Sequence, residues 1–156
     1  MNVRTATKAD SAAIKPVIDA TGLFPSEMLD DMMRGYLDGS APGDMWFVSD
    51  APDIIAAAYC APERLTSGTW NLLMIAVDPA SQGRGVGAAL MRHVERILAD
   101  RGERILLVET SGLPEFERVR RFYRGLGYDE EARIRDFYQH GEDKVVFRKA
   151  LSTAMS

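Results

Sequence analysis

The stretch Val77-Asp78-Pro79-Ala80-Ser81-Gln82-Gly83-Arg84-Gly85-Val86-Gly87-Ala88 constrains this chain more than any other. It joins a strongly apolar run, Leu72 to Val77, to a segment whose apolar residues Val86, Leu90, Val94, Ile97 and Leu98 recur at helical spacing. A strand therefore feeds a glycine-rich turn, and the turn feeds a helix. The first amide N–H groups of a helix lack internal partners, and the aligned peptide dipoles put partial positive charge at that end. Glycines at 83, 85 and 87 remove Cβ atoms that would hold a phosphate off the backbone, and they permit angles other residues disfavour. The turn predicts a phosphate or pyrophosphate ligand, with a tight ligand-free connection as the plainer alternative.

Two other phosphate motifs compete. A P-loop requires Gly-Lys-Ser/Thr, and no lysine stands in this turn. Gly83-x-Gly85-x-x-Ala88, with Glu109 further on, fits the spacing of a dinucleotide fingerprint, which would make the chain a nicotinamide-dependent oxidoreductase. Its position argues against that. Asp78 to Gln82 separate the strand from the glycines, and too little chain follows the motif for a doubly wound sheet.

The run Ile75-Ala76-Val77-Asp78-Pro79, followed by Gln82-x-x-Gly85-x-Gly87, resembles the acetyl-CoA signature of the GNAT N-acetyltransferase superfamily. Downstream, Arg121-Phe122-Tyr123-Arg124-Gly125-Leu126-Gly127-Tyr128 is similar to that superfamily's second conserved block. The resemblance implies acetyl-CoA as co-substrate, with the pyrophosphate on Gln82, Gly83, Arg84, Gly85, Val86, Gly87 and Ala88. It also implies a backbone N–H near Ala76 or Val77 for the oxyanion, and Tyr123 as proton donor to the departing thiolate. The fold expected is α/β (α+β): a mixed, mostly antiparallel sheet, one parallel crossover at the cofactor cleft, and helices on both faces.

Acetyl transfer to an amine needs a base, because a primary alkylamine is mostly protonated at neutral pH. Glu109 is the candidate. It ends a strand parallel to the one feeding the glycine turn, and ligands in such sheets gather beyond strand ends. In the superfamily branch that acetylates protein N-termini, including ribosomal-protein alanine, a glutamate precedes the tyrosine by a similar interval. A structural alternative for Glu109 is an arginine pair or a helix cap. Where the family often has asparagine and alanine ahead of its tyrosine, this chain has Phe116 and Val119.

Along the chain, Met1 to Thr5 reads as a strand, and Asp10 or Ser11 as the cap of a helix carrying Ile14, Val17 and Ile18. Pro16 is expected in that helix's first turn or at a bend. A second helix from Pro25 or Ser26 carries Met28, Leu29, Met32, Met33, Tyr36 and Leu37. Strands follow at Met45 to Ser49, Ile54 to Ala61 and Thr69 to Val77, with Asp50-Ala51-Pro52-Asp53 as a hairpin turn. After the helix to Asp100 come a strand, Ile105 to Thr110, and a helix, Glu115 to Leu126, closed by Gly127. A last hairpin pairs Tyr128 to Phe137 with Lys144 to Phe147 over the loop His140 to Asp143. In the superfamily, the segment between the first two helices commonly walls the acceptor pocket, which points to Leu23, Phe24 and Met28.

The 156 residues suggest one domain over 1–151 and a frayed tail at 152–156. A net charge of −4 gives no electrostatic reason for nucleic-acid binding. One cysteine, Cys60, excludes an internal disulfide and reads as a buried apolar side chain. Glu63 reads as an exposed loop carboxylate, His93 and His140 as structural or surface residues, and no metal site is expected. Arg118, Arg120, Arg121 and Arg124 read as a solvated face, one of them within reach of a 3′-phosphate. With neither a signal-peptide pattern nor a membrane-length apolar run, a cytoplasmic protein is expected. The acceptor is an amine of open identity: peptide N-terminus, polyamine, amino acid or aminoglycoside. The superfamily admits a homodimer. A catalytically silent acyl-CoA-sensing module is the alternative function.

Overall fold

The computed structural model describes residues 2–50 and 52–151. The expectations for Met1, for Ala51 in the first hairpin turn and for the tail at 152–156 fall outside them. Seven strands form one sheet in the order β1-β2-β3-β4-β5-β7-β6. One neighbouring pair, β4 with β5, is parallel. The described residues gather into two compact units, one within 2–62 and 73–97, the other within 63–72 and 98–151.

In the first unit, β1 (Asn2–Thr5), β2 (Met45–Asp50) and β3 (Ile54–Pro62) lie side by side, each antiparallel to the next. Helices α1 (Ser11–Thr21) and α2 (Leu29–Asp38) send Ile14, Val17, Ile18, Leu29 and Met33 into a core with Trp46, Val48 and Ala57. Met74 and Ala76, from the second half of β4 (Thr69–Val77), complete that core. Trp46 stacks on Tyr59 at 4.5 Å. Gly22 and Gly39 close the two helices in the left-handed region, at φ 70° and 82°, where a side chain would be strained.

Two local expectations are corrected. Asp10 stands at the cap of α1, but its side chain makes no cap bond to the helix. It turns back to accept from the Thr7 N–H at 2.7 Å and from both terminal nitrogens of Arg4. A guanidinium six residues upstream outcompetes neutral amides for the carboxylate. Of the two placements expected for Pro16, the first turn is excluded: α1 begins at Ser11, which puts Pro16 in its second turn, inside the helix. Its missing N–H removes the usual bond to the Ala12 carbonyl.

In the second unit, the first half of β4 runs parallel to β5 (Ile105–Ser111), from Thr69↔Ile105 to Leu72↔Val108. Next to β5 lies β7 (Glu142–Ala150), antiparallel, and beyond it β6 (Asp129–Gln139). Helix α4 (Glu117–Gly125) places Tyr123 beside Tyr128 and Phe147. The final hairpin is longer than its pattern suggests, and its turn is only His140-Gly141. The ladder is irregular: Ile134 faces Lys144 and Gln139 faces Glu142, so residues 135–138 bulge from β6. Asp136 pins the bulge at φ 55°, donating its N–H to Asp143 and accepting from the Gly141 N–H. Phe137 and Tyr138 are left about half-exposed on it.

Candidate active site

The glycine turn belongs to the first unit. Helix α3 (Val86–Asp100) starts directly after it, its first internal bond running from the Ala89 N–H to the Gly85 carbonyl. The N–H groups of Val86, Gly87 and Ala88 precede that bond and have no carbonyl four residues back within the helix. Gly83 and Gly85 sit at φ 81° and 78°, and a Cβ at either would meet no protein atom within 4 Å. These glycines serve the backbone angle and leave clear space outside the turn, a combination that fits a phosphate-bearing ligand. Gln82 folds back to donate to the Val77 carbonyl at 3.2 Å, and Asp78 accepts from the Ala80 N–H. The turn is thereby tied to the end of β4, whose last residues are Ala76 and Val77. Arg84 is exposed beside the glycines.

The acid–base candidates belong to the second unit. Glu109, near the end of β5, is held from two sides: Lys144 Nζ lies 3.1 Å from Oε1, and Asn71 Nδ2 donates to Oε2 at 3.0 Å. The Glu109 side chain keeps 30% of its surface exposed, Lys144 only 12%. Lys144 Nζ also lies 3.9 Å from the centroid of the Phe137 ring. Asn71 donates its second amide hydrogen to Glu63 Oε1 at 2.9 Å. Glu63 is therefore not the free loop carboxylate expected, because Asn71, buried on the adjacent strand, offers it a donor. The phenol of Tyr138 is pushed above its ordinary value, mainly by burial, then by the charges of Glu109 and Glu142.

Tyr123 is 3% exposed, its ring in contact with Phe122, Tyr128 and Phe147. Burial drives its phenol far above the usual value, so it stays protonated throughout the physiological range. Of the four α4 arginines, Arg118 and Arg121 are exposed. Arg120 departs from the solvated face expected: it is buried, donating to the Ser111 and Leu113 carbonyls and pairing with Glu117. Arg124 pairs with Glu117 and Glu130. In the first unit, Leu23 and Met28 are about half-exposed, whereas Phe24 packs against the core.

His93 meets Phe47 edge-on, and His140 is fully exposed. Cys60 is buried. Among the described residues no cluster of three or more His, Cys, Asp or Glu could hold a metal ion, and no helix is long and apolar enough to cross a membrane.

Sequence reasoning missed Asn71 and Lys144. A signal for the first was present, since Asn71 is the sole polar residue between Trp70 and Val77. A buried amide inside an apolar strand implies a specific polar partner.

The sequence pattern of the acetyltransferase (GNAT) family matches residues 15–128. GCN5-like protein acetyltransferase Rv2170 of Mycobacterium tuberculosis is 32% identical over 150 residues, 93% of this chain and 68% of that protein. Mycothiol acetyltransferase of Kineococcus radiotolerans is 32% identical over 105 residues, 67% of this chain, and the match spans only 33% of that longer protein. Among solved structures, one assigned to the GNAT family from Desulfovibrio desulfuricans superposes with TM-score 0.89 at 29% identity, covering 97% of this chain and 99% of that one. Ribosomal-protein-alanine N-acetyltransferase from Brucella melitensis shares the fold at TM-score 0.78 and 18% identity, covering 97% of this chain and all of its own.

Proposed function

Because the chain belongs to the acetyltransferase (GNAT) family, and so is an acyltransferase, we propose that it transfers the acetyl group of acetyl-CoA to a primary amine. The acceptor in this reading is a small molecule or a peptide N-terminus, and it attacks directly in a ternary complex. The observation that carries the reading is Glu109, a carboxylate at the end of β5 fixed by Lys144 on one oxygen and Asn71 on the other.

Acetyl-CoA supplies an activated acyl group on a thiolate leaving group. The chain's residues do the rest. The N–H groups from Gly83 to Ala88, with Gln82 and Arg84 beside them, receive the pyrophosphate by charge-assisted hydrogen bonds. Glu109 takes the proton from the acceptor ammonium, directly or through one water, and so frees the nitrogen lone pair. The N–H of Ala76 or Val77 receives the negative charge that develops on the acyl oxygen. Tyr123, protonated at every working pH, returns a proton to the thiolate sulfur. Leu23, Phe24 and Met28 form the apolar side of the acceptor pocket.

A binding-only module is the second reading, favoured by the burial of Tyr123 beneath three aromatic rings. Release of free thiol from acetyl-CoA, measured against a panel of amines and N-terminal peptides, separates the two. Acceptor-dependent release that falls at least about tenfold in both Glu109→Gln and Tyr123→Phe supports catalysis with these roles. Coenzyme binding without release on any acceptor supports the module.

A further inference from the structure

Resting on the reading of Glu109 as the base, we propose that Asn71 is its positioning residue, with Glu63 as the anchor that holds Asn71 in place. The primary amide of Asn71 has two N–H donors, and both are spent on carboxylates, one on Glu63 and one on Glu109. The side chain is 5% exposed, so water does not compete freely for it. Reversing the amide would press its carbonyl oxygen against two carboxylates, so their charges fix its orientation. That orientation leaves Oδ1 buried with no donor among the described residues. An amide present only for packing would satisfy both ends. This one leaves its own acceptor unmet in order to donate twice.

The consequence for Glu109 is directional. With Lys144 on Oε1 and Asn71 on Oε2, rotation of the carboxylate in either sense breaks a charge-assisted bond. Remove Asn71, and Lys144 remains as the donor to Glu109 in this cluster among the described residues, and the carboxylate swings toward it. The charged and titratable groups facing Glu109 are Lys144 from β7 and Tyr138 from β6, with Glu63 on the far side of Asn71. A third carboxylate at position 71 would therefore raise the proton affinity of the whole cluster.

The test uses the full chain, wild type and Asn71→Ala, Asn71→Asp and Glu63→Ala, with acetyl-CoA affinity by calorimetry as the check on folding. In Asn71→Ala, kcat is expected to fall roughly tenfold to a hundredfold while the KM for acetyl-CoA stays within about twofold, the pattern of a misplaced base. In Asn71→Asp, the acid limb of kcat/KM moves to higher pH by about one unit, the displacement expected when a carboxylate is set against the titrating base. Glu63→Ala keeps Asn71 but frees it, so kcat falls in the same direction and by less. If Asn71→Ala does not fold, Glu63→Ala decides the matter: wild-type kcat with an unmoved pH profile overturns the proposal. Wild-type turnover beside an Asn71→Ala variant within twofold in kcat at every pH overturns the positioning role alone. A wild-type chain that binds acetyl-CoA but acetylates no amine overturns Glu109 as base, and this role with it.

Discussion

Replacing Asp10 by asparagine tests how the first unit is fastened at its amino end. Arg4 grips the Asp10 carboxylate with two nitrogens, at 2.8 and 2.9 Å, while its third nitrogen donates to Asp50 at 2.9 Å. The Thr7 N–H and hydroxyl add bonds at 2.7 and 3.2 Å. These donors, the Arg4 guanidinium foremost, hold the carboxyl at about 2 against an ordinary 3.8. At about 1.4 kcal/mol per pH unit, that difference is worth about 2 kcal/mol of folding free energy. Asp10 is largely buried, but the Arg4 side chain keeps 37% of its surface in water, so screening trims the figure to about 1–2 kcal/mol. The sign follows from the depressed value. The stabilisation is complete above the unfolded carboxyl's pKa near 4 and is lost as pH falls from about 4 through about 2. Urea unfolding of wild type and Asp10→Asn at pH 7, 5, 3.5 and 2.5 should show a deficit of about 1–2 kcal/mol at the upper two values, narrowing steadily at the lower two. A deficit constant with pH, or none at pH 7, would refute the reasoning.

Three further outcomes are expected. Gly85→Ala should lower stability by about 1 kcal/mol through backbone strain alone, since the added Cβ meets open space, and should weaken acetyl-CoA binding; thermal melts and calorimetry read the two effects separately, and an unchanged coenzyme affinity would remove the turn from the site. Because burial holds the Tyr123 phenol far above its usual value, thiol release should not decline between pH 8 and 10 through its deprotonation, and Tyr123→Phe should lower the rate by the same factor at both ends of that range. His93 has its pKa lowered by burial and by Arg96, so its neutral form is the one the fold favours. Stability should fall as pH drops through 6.5 and below, and His93→Gln should flatten that loss in denaturant titrations at pH 7.5 and 5.5.

What the sequence revealed depended on how local each signal was. The glycine turn was legible because a strand end, three glycines and a helix start are contiguous, and their backbone angles follow from residue type. The hairpin from β2 to β3 and the parallel crossover from β4 to β5 were legible for the same reason, each joining strands that follow one another in the sequence. Pairings across long separations were not. Nothing in the sequence near Glu109 announces Lys144, which reaches it because β7 lies against β5 in the register Thr110↔Val145 and Ser111↔Lys144. Asp10 shows the same limit at short range. As a helix cap its neighbours are the obvious partners, yet the winner is Arg4, brought close by the reversal of chain direction between β1 and α1.

The acceptor side marks a different limit. Helical spacing selects Met28, Leu29, Met32, Met33, Tyr36 and Leu37 as one apolar stripe, yet only Leu29 and Met33 are buried. Periodicity identifies which residues share a face, while coverage depends on what else packs there. Met32 and Tyr36 lean on the core, and Tyr36 secures its hydroxyl by donating to the Ala6 carbonyl at 2.6 Å. Met28 and Leu37 remain partly uncovered, as does Leu23 ahead of the helix. That excess of apolar surface over core is the property the proposed acceptor wall of Leu23 and Met28 requires, and methionine suits such a role because its flexible thioether adapts to an irregular ligand. Flexible apolar walls set the shape tolerance of a site but carry little information about which molecule fills it. Discrimination has to come from fixed polar groups, and in the second unit these are the Glu109 carboxylate, 30% exposed, and the Glu63–Asn71 pair hydrogen-bonded to it.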